Sequence, residues 1–407
     1  MILVESKIRK TNPNTLKKIN WKIASIITIA AASAGLYYFN TVLRDTKQIA
    51  ITTPEIRGAW VPATVSKSMD TKVNMVKTID RIKTLNLNTI YLNVFSRGYT
   101  TFPSAVNSKA IGIKIMPRLD NKGRDIVKET LSLTSDKKIK TFAWFEYGFM
   151  TFPSNPIVKK HPEWIALNSE GGMEAEDDTM WLNPINPKVQ GYISNIIIEL
   201  VTRYDIDGIQ FDDHMALNSE LGYDKYTLAL YKKETGKQSP LKPNTDLPLD
   251  DPLWKEWLDW RSAKITSYMK DLTSKIKKVK PNLKVSIAVN YSALAYKEYC
   301  QQWPNWLDFI DEIIVQNYTV SNSNFNNILN SIEIKKIKKQ MPVSVALGLI
   351  VNGQVITDSQ MLQQATISRG HGLNGINFWY ADFLEDKQKS KSRYLAIKSI
   401  FPEYAPR

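Results

Sequence analysis

A single α/β domain, a (β/α)8 TIM barrel behind an N-terminal membrane or signal segment, is the fold class this sequence predicts. Three observations lead there. From Glu55 onward, eight short β-branched or aromatic runs alternate with longer amphipathic stretches, the pattern of parallel strands joined by crossover helices. The residues closing those runs are unusually polar and aromatic, as the carboxyl-terminal rim of such a barrel requires. No glycine-rich phosphate loop follows the first run, which argues against a doubly wound nucleotide-binding sheet.

In chain order, the expected strands are Arg57–Val61, Thr89–Phe95, Ile139–Glu146, Ile206–Asp212, Lys284–Asn290, Asp311–Asn317, Pro342–Gly348 and Gly375–Tyr380. Between them, apolar residues recur near a 3.6-residue period in Thr71–Leu85, Arg124–Lys138, Val189–Tyr204, Trp254–Val279, Phe325–Lys339 and Ser359–Arg369, predicting helices. Insertions are expected mainly after the third and fourth strands.

The amino terminus reads differently. Six Lys/Arg (Lys7, Arg9, Lys10, Lys17, Lys18 and Lys22) precede Ile23 to Phe39, 17 uncharged residues that are apolar all round and end in an aromatic cluster. That is positive-inside topology with an interfacial belt. The expectation is a basic cytoplasmic leader over 1–22, a transmembrane anchor or signal peptide over 23–39 and a linker over 40–54. The barrel then covers 55–402, with a short tail at 403–407. It would sit at the cell envelope on the periplasmic or extracellular side, the membrane being a partner through this segment, or be secreted if the segment is cleaved at Ala32-Ser33-Ala34.

Composition narrows the rest. The 407 residues are 43% hydrophobic, enough for one large core, and include 11 Trp and 18 Tyr. A formal charge of +14 hints at an anionic partner, yet residues 1–50 hold eight Lys/Arg against two acids and so account for +6 of it. Runs such as Lys275 to Lys280 and Lys335 to Lys339 fall on expected helices and read as solvated faces, so nucleic acid is not an expected partner. The single cysteine, Cys300, forbids an internal disulfide, and three scattered histidines (His161, His214, His371) give no metal-ligand spacing. Neither a cofactor nor a metal is expected.

The chemistry concentrates in Asp207-Gly208-Ile209-Gln210-Phe211-Asp212-Asp213-His214. Side chains alternate along a strand, so Ile209 and Phe211 should face the outer helices while Gln210, Asp212 and His214 face the barrel mouth. The same alternation groups Trp144 with Glu146, and Asn93 and Phe95 with Arg97. Glycoside hydrolysis needs two carboxyl groups about the scissile bond, one protonated and one ionised. Asp212 is the first candidate, with Asp213 or Glu146 as its catalytic partner. Arg97 would help keep one of them ionised. Around them Trp60, Arg97, Trp144, His214, Asn290, Gln316, Tyr318, Trp379 and Asp382 are candidates for binding sugar hydroxyls or stacking on pyranose faces.

The whole stretch from Glu55 to Pro402 resembles the glycosyl-hydrolase-like family 10 proteins, once catalogued as a domain of unknown function. The resemblance rests on Arg57-Gly58-Ala59-Trp60, Asn88-Thr89-Ile90-Tyr91, Arg97-Gly98, Ala143-Trp144-Phe145, His161-Pro162-Glu163-Trp164, Trp181-Leu182-Asn183-Pro184, Asp207 to Asp213 and Gln316-Asn317-Tyr318. It implies a barrel acting on bacterial cell-wall glycan. Strand four is also similar to that of family 18 chitinases, where an Asp-x-Asp-x-Glu run ends in the catalytic acid. Here those places hold Gln210, Asp212 and His214, so that acid is missing. The leading expectation is therefore hydrolysis of an envelope or extracellular polysaccharide, most of all peptidoglycan glycan strands. The alternative is a glycan-binding scaffold that kept the aromatic cleft without efficient acid/base work.

Overall fold

The structure, a computed structural model, describes residues 55–402 apart from 120–122, 137, 176–178, 244–247 and 386–391. The expected leader, membrane segment, linker and tail lie outside these residues. Among the described residues, no helix is long and apolar enough to cross a membrane.

Eight parallel strands close into the predicted barrel: β1 (Ile56–Val61), β2 (Thr89–Ser96), β3 (Lys140–Phe145), β4 (Gly208–Phe211), β5 (Lys284–Val289), β6 (Glu312–Asn317), β7 (Val343–Gly348) and β8 (Gly375–Trp379). Closure is explicit in the register. Gly58 of β1 lies opposite Thr89 of β2 on one side and Asn377 of β8 on the other. Helices cover the outside, among them Lys72–Thr84, Ile126–Leu133, Pro187–Arg203, Pro252–Val279 and Asp358–Gly370. Each starts where a side-chain oxygen of Thr71, Asp125, Asn186, Asp251 or Thr357 accepts a free backbone N–H of the first turn.

Two packing layers follow from strand alternation. Ala59, Ile90, Ala143, Ile209, Phe211, Val285 and Ile287 point outward into the large core beneath the helices. Trp60, Tyr91, Phe142, Trp144, Ala288, Ile314 and Ala346 point inward and fill the barrel. So much aromatic volume fits because facing positions are glycine. A Cβ on Gly208 would overlap the Phe142 ring, and one on Gly58 would overlap Asn377 and press on Tyr91. Overpacking of this kind typically costs about 1–3 kcal/mol. Gly208→Ala is accordingly expected to lower the thermal midpoint by several degrees, and an unchanged melting curve would contradict this account of the interior.

Two expectations need correction. The single helix over Phe325–Lys339 is two, Asn322–Leu329 and Ile332–Ile337, because the Ser331 hydroxyl accepts the Ile334 N–H at 3.3 Å and starts a new helix after Asn330. Insertions also follow β2, where Tyr99–Thr100 folds back antiparallel on Phe95–Ser96 and a helix, Ala105–Ile111, comes before the next barrel helix. The insertions after β3 and β4 are present as expected, with a small hairpin pairing Met150–Thr151 with Met180–Trp181 and a helix at Lys225–Thr235.

Candidate active site

The carboxylate-rich segment divides into a structural half and a chemical half. At its base, Asp207 accepts the Thr141 N–H at 2.8 Å and ties the foot of β4 to β3. Gln210, facing inward, accepts the Trp60 indole N–H at 2.7 Å and donates to the Ser286 hydroxyl at 3.3 Å, a polar bridge across the interior from β1 to β5. The strand ends at Phe211, and from there alternation no longer governs. Residues 212–215 form a tight turn in which the Asp212 carboxylate accepts the His214 N–H at 3.0 Å and the Asp212 carbonyl accepts the Met215 N–H at 3.2 Å. Neighbouring loops hold the turn. Phe149 N–H donates to the His214 carbonyl, and the buried Gln301 amide donates to the Asp212 carbonyl at 3.2 Å.

The turn brings Asp213, as well as Asp212, into one cavity of about 130 Å³ at the barrel mouth. Its walls are Trp60, Trp144, Tyr318 and Trp379, with Glu146, Tyr147, Asp212, Asp213, His214, Ala288 and Gln316 completing the lining. Of the residues singled out from the sequence, the three acids and Trp60, Trp144, His214, Gln316, Tyr318 and Trp379 are thus brought together. The rings interlock: Trp144 and Trp379 meet edge to face at 5.6 Å, and Tyr318 packs on Trp379 at 5.9 Å.

Three sequence candidates stand behind the wall instead. Arg97 makes no ion pair with Glu146 or Asp212. Its backbone is left-handed (φ 54°), and its guanidinium lies 4.4 Å from the Phe152 ring centre and 5.3 Å from that of Tyr147. Its charge still lowers the Glu146 pKa, but less than the Ser96 hydrogen bond or His214 does. Asn290 donates to Asp213 at 2.6 Å, and Asp382 accepts from Ser66 and Ser68, tying the loops after β1 and β8 together. In return, the cavity recruits residues with no assigned place in the sequence. Tyr147 enters through its own left-handed backbone (φ 59°), and Gln301 holds the turn from outside. Trp181 and Tyr147 flank the His214 ring at 6.0 and 4.9 Å.

The three acids have different environments. Glu146 is almost fully buried, and burial pushes its pKa up to about 8, the nearby Asp212 adding to the rise. Its Oε2 accepts from Asn93 at 3.0 Å and Ser96 at 2.9 Å, leaving Oε1 to carry the proton. Asp213 accepts from Asn290 and Gln316 and lies 3.3 Å from His214 Nδ1. The His214 charge first, and then the Gln316 amide, overcome its burial and hold it below the usual carboxylate value. Asp212, more deeply buried, is raised by desolvation, although the same imidazole nitrogen lies 3.4 Å away. Between two carboxylates, the half-buried His214 has its pKa raised well above the ordinary imidazole value and is held as an imidazolium. Ligand atoms of Asp212, Asp213 and His214 lie within 4.8 Å of one another, a spacing that a cation could use, but here the imidazolium already balances the charge.

The sequence over residues 55–365 matches the family described as glycosyl hydrolase-like 10, across most of the barrel. The chain belongs to that family. Curated relatives include glycosyl hydrolase DigH of Escherichia coli K12, 23% identical over 258 residues, and glycosyl hydrolase YngK of Bacillus subtilis 168, 22% identical over 251 residues. Each alignment takes in 58% of this chain but only 51% and 44% of the relatives, so the chain spans about half the length of the curated relatives it matches. Among solved structures, the glycoside hydrolase domain of PgaB (BpsB) from Bordetella bronchiseptica superposes with a TM-score of 0.64 at 16% identity. The match covers 86% of this chain and all of that one. An α-L-fucosidase from Paenibacillus thiaminolyticus follows at 0.59 and 14% identity, over 85% of this chain and 48% of that one. At such identities these likenesses establish the barrel fold. For this glycosyl hydrolase-like 10 member, the chemistry must be argued from its own cavity.

Proposed function

We propose that the protein hydrolyses glycosidic bonds of a bacterial envelope polysaccharide, most specifically the glycan strands of peptidoglycan. The observation carrying this reading is that one aromatic cavity holds both a carboxyl kept protonated near neutrality, Glu146, and a carboxylate kept ionised, Asp213. That division of labour is what glycoside hydrolysis demands. Glu146 would give its Oε1 proton to the leaving glycosidic oxygen. Asp213, fixed by Asn290 and Gln316, would act as the carboxylate at the anomeric carbon, directly or through water. Asp212 would hold His214, which in turn stabilises the charge on Asp213.

The cavity is smaller than the roughly 300–1,000 Å³ of sites that enclose drug-sized ligands. It suits the single ring beside the scissile bond, with the rest of the chain running over the rim. Trp60, Trp379 and Tyr318 would supply stacking faces. An envelope setting rests on the basic leader and apolar segment at 1–39, which would place the barrel outside the cytoplasm with the membrane as its anchor.

The test is to incubate the full-length chain with purified peptidoglycan, with and without stem peptides, and to measure new reducing ends. Release by the wild type that is lost in Glu146→Gln and Asp213→Asn is the expected result. No release from any glycan, with binding intact, would favour the scaffold reading.

A further inference from the structure

The charge lining the cavity carries a finer conclusion about which ring it accepts. Beside the phenols of Tyr147 and Tyr318, its wall holds three carboxyl groups, Glu146, Asp212 and Asp213, and one imidazole, His214, and among the described residues no Lys or Arg lines it. The one cationic group, His214, has Nδ1 within 3.4 Å of two carboxylates and is already neutralised. Arg97, the guanidinium nearest this wall, is not part of the lining and is stacked on the Phe152 and Tyr147 rings. An incoming carboxylate would therefore meet carboxylates with no Lys or Arg in the lining to receive it, between aromatic walls that weaken screening. Hydroxyl and amide N–H groups, by contrast, find acceptors in Asp213 and Gln316, and the indole and phenol walls offer apolar faces.

We infer that the ring seated in this cavity, whose anomeric carbon is attacked, bears no carboxylate. In an alternating wall glycan that ring is N-acetylglucosamine, because its neighbour carries a lactyl carboxylate, free wherever the stem peptide is gone. The inference rests on the hydrolase reading above and specifies its bond. In the step, the bond from the anomeric carbon of N-acetylglucosamine to the bridging oxygen breaks. The oxygen leaves with a proton and becomes a hydroxyl of the lactyl-bearing ring, while water supplies the new anomeric hydroxyl. The new reducing end is then N-acetylglucosamine.

The experiment has two arms. In the first, the full-length chain digests peptide-free glycan strands, the products are reduced with borohydride, and mass spectrometry identifies the reduced terminus. Termini of reduced N-acetylglucosamine are expected, and reduced muramic acid termini overturn the inference. In the second, calorimetry compares an N-acetylglucosamine tetramer with its counterpart oxidised to carboxylates at C6. The neutral oligomer should bind about 30-fold or more tightly, the scale of one poorly screened like-charge contact. Asp213→Asn should narrow that ratio. Equal affinity, a preference for the acidic oligomer, or binding of neither overturns the inference even where no bond is cut. If the charge preference holds but no termini appear, the hydrolase reading fails while the charge selection of the site survives.

Discussion

Asp213→Asn should reduce glycan hydrolysis by roughly 10²–10⁴-fold, the span typical of losing a positioned acid/base or nucleophilic group, while the protein stays folded. Asparagine keeps the shape, its single oxygen can still accept the Asn290 amide that now bonds Asp213 at 2.6 Å, and its NH2 can donate to the Gln316 oxygen once that amide flips, so the barrel mouth should survive. What disappears is the negative charge that Asn290, Gln316 and His214 are arranged to stabilise. Asp212→Asn is the informative companion. Asp212 is the more buried of the pair and the one raised by desolvation, so its loss acts through His214 and should cost less. Initial rates of reducing-end release, with thermal melts as a folding control, give the comparison. A larger loss from Asp212→Asn would move the ionised carboxylate to that residue, the position that strand alternation alone would choose.

Why alternation points to the neighbouring acid can be traced to particular residues. The eight strands were legible because parallel strands buried on both faces read as continuous apolar runs, a local property. β1, β2 and β5 end within a residue of where the sequence places them. Trp60, Trp144 and Gln316 lie on regular strand and reach the cavity as expected. The errors begin where strands stop. Arg97 follows an irregularity in the β2–β3 register and has a left-handed backbone, which swings its side chain out of step with Asn93. Tyr147 has the same left-handed conformation and for that reason turns in beside Glu146. Asp213 comes within reach of β5 and β6 because residues 212–215 form a turn closed by hydrogen bonds to Asp212 and clamped by Gln301, 89 residues away in sequence. Positive backbone angles at non-glycine residues and clamps of that separation are set by tertiary packing, so no local pattern announces them.

The pH dependence of Glu146→Gln should separate catalysis from stability at one residue. With its pKa near 8, Glu146 holds its proton at neutrality and gives it up above that value. The wild-type kcat/KM should thus be level through neutrality and fall about tenfold per pH unit beyond 8, while Asp213, held below the usual carboxylate range, keeps activity from failing until strongly acidic pH. In Glu146→Gln the rate should drop by roughly 10²–10⁴-fold and the alkaline limb should vanish. A substrate with a nitrophenolate leaving group, which needs no proton, should recover most of that loss. An alkaline limb that persists in the variant would belong to His214 instead. Stability should move the other way. Glutamate in the unfolded chain ionises near its ordinary value of 4.5, whereas in the fold it stays neutral up to about 8. Unfolding therefore releases a proton between those values, and the wild type loses stability as pH rises through that window, by about 1.4 kcal/mol per unit at most. Glutamine has no such titration and can still accept from Asn93 and Ser96. Glu146→Gln should consequently match or exceed the wild type in denaturant midpoint at pH 5, and lead it by a margin that widens up to about pH 8 and then levels off. A carboxyl kept in this pocket at such a cost is what the proposed role of Glu146 as the acid requires, a trade of stability for chemistry.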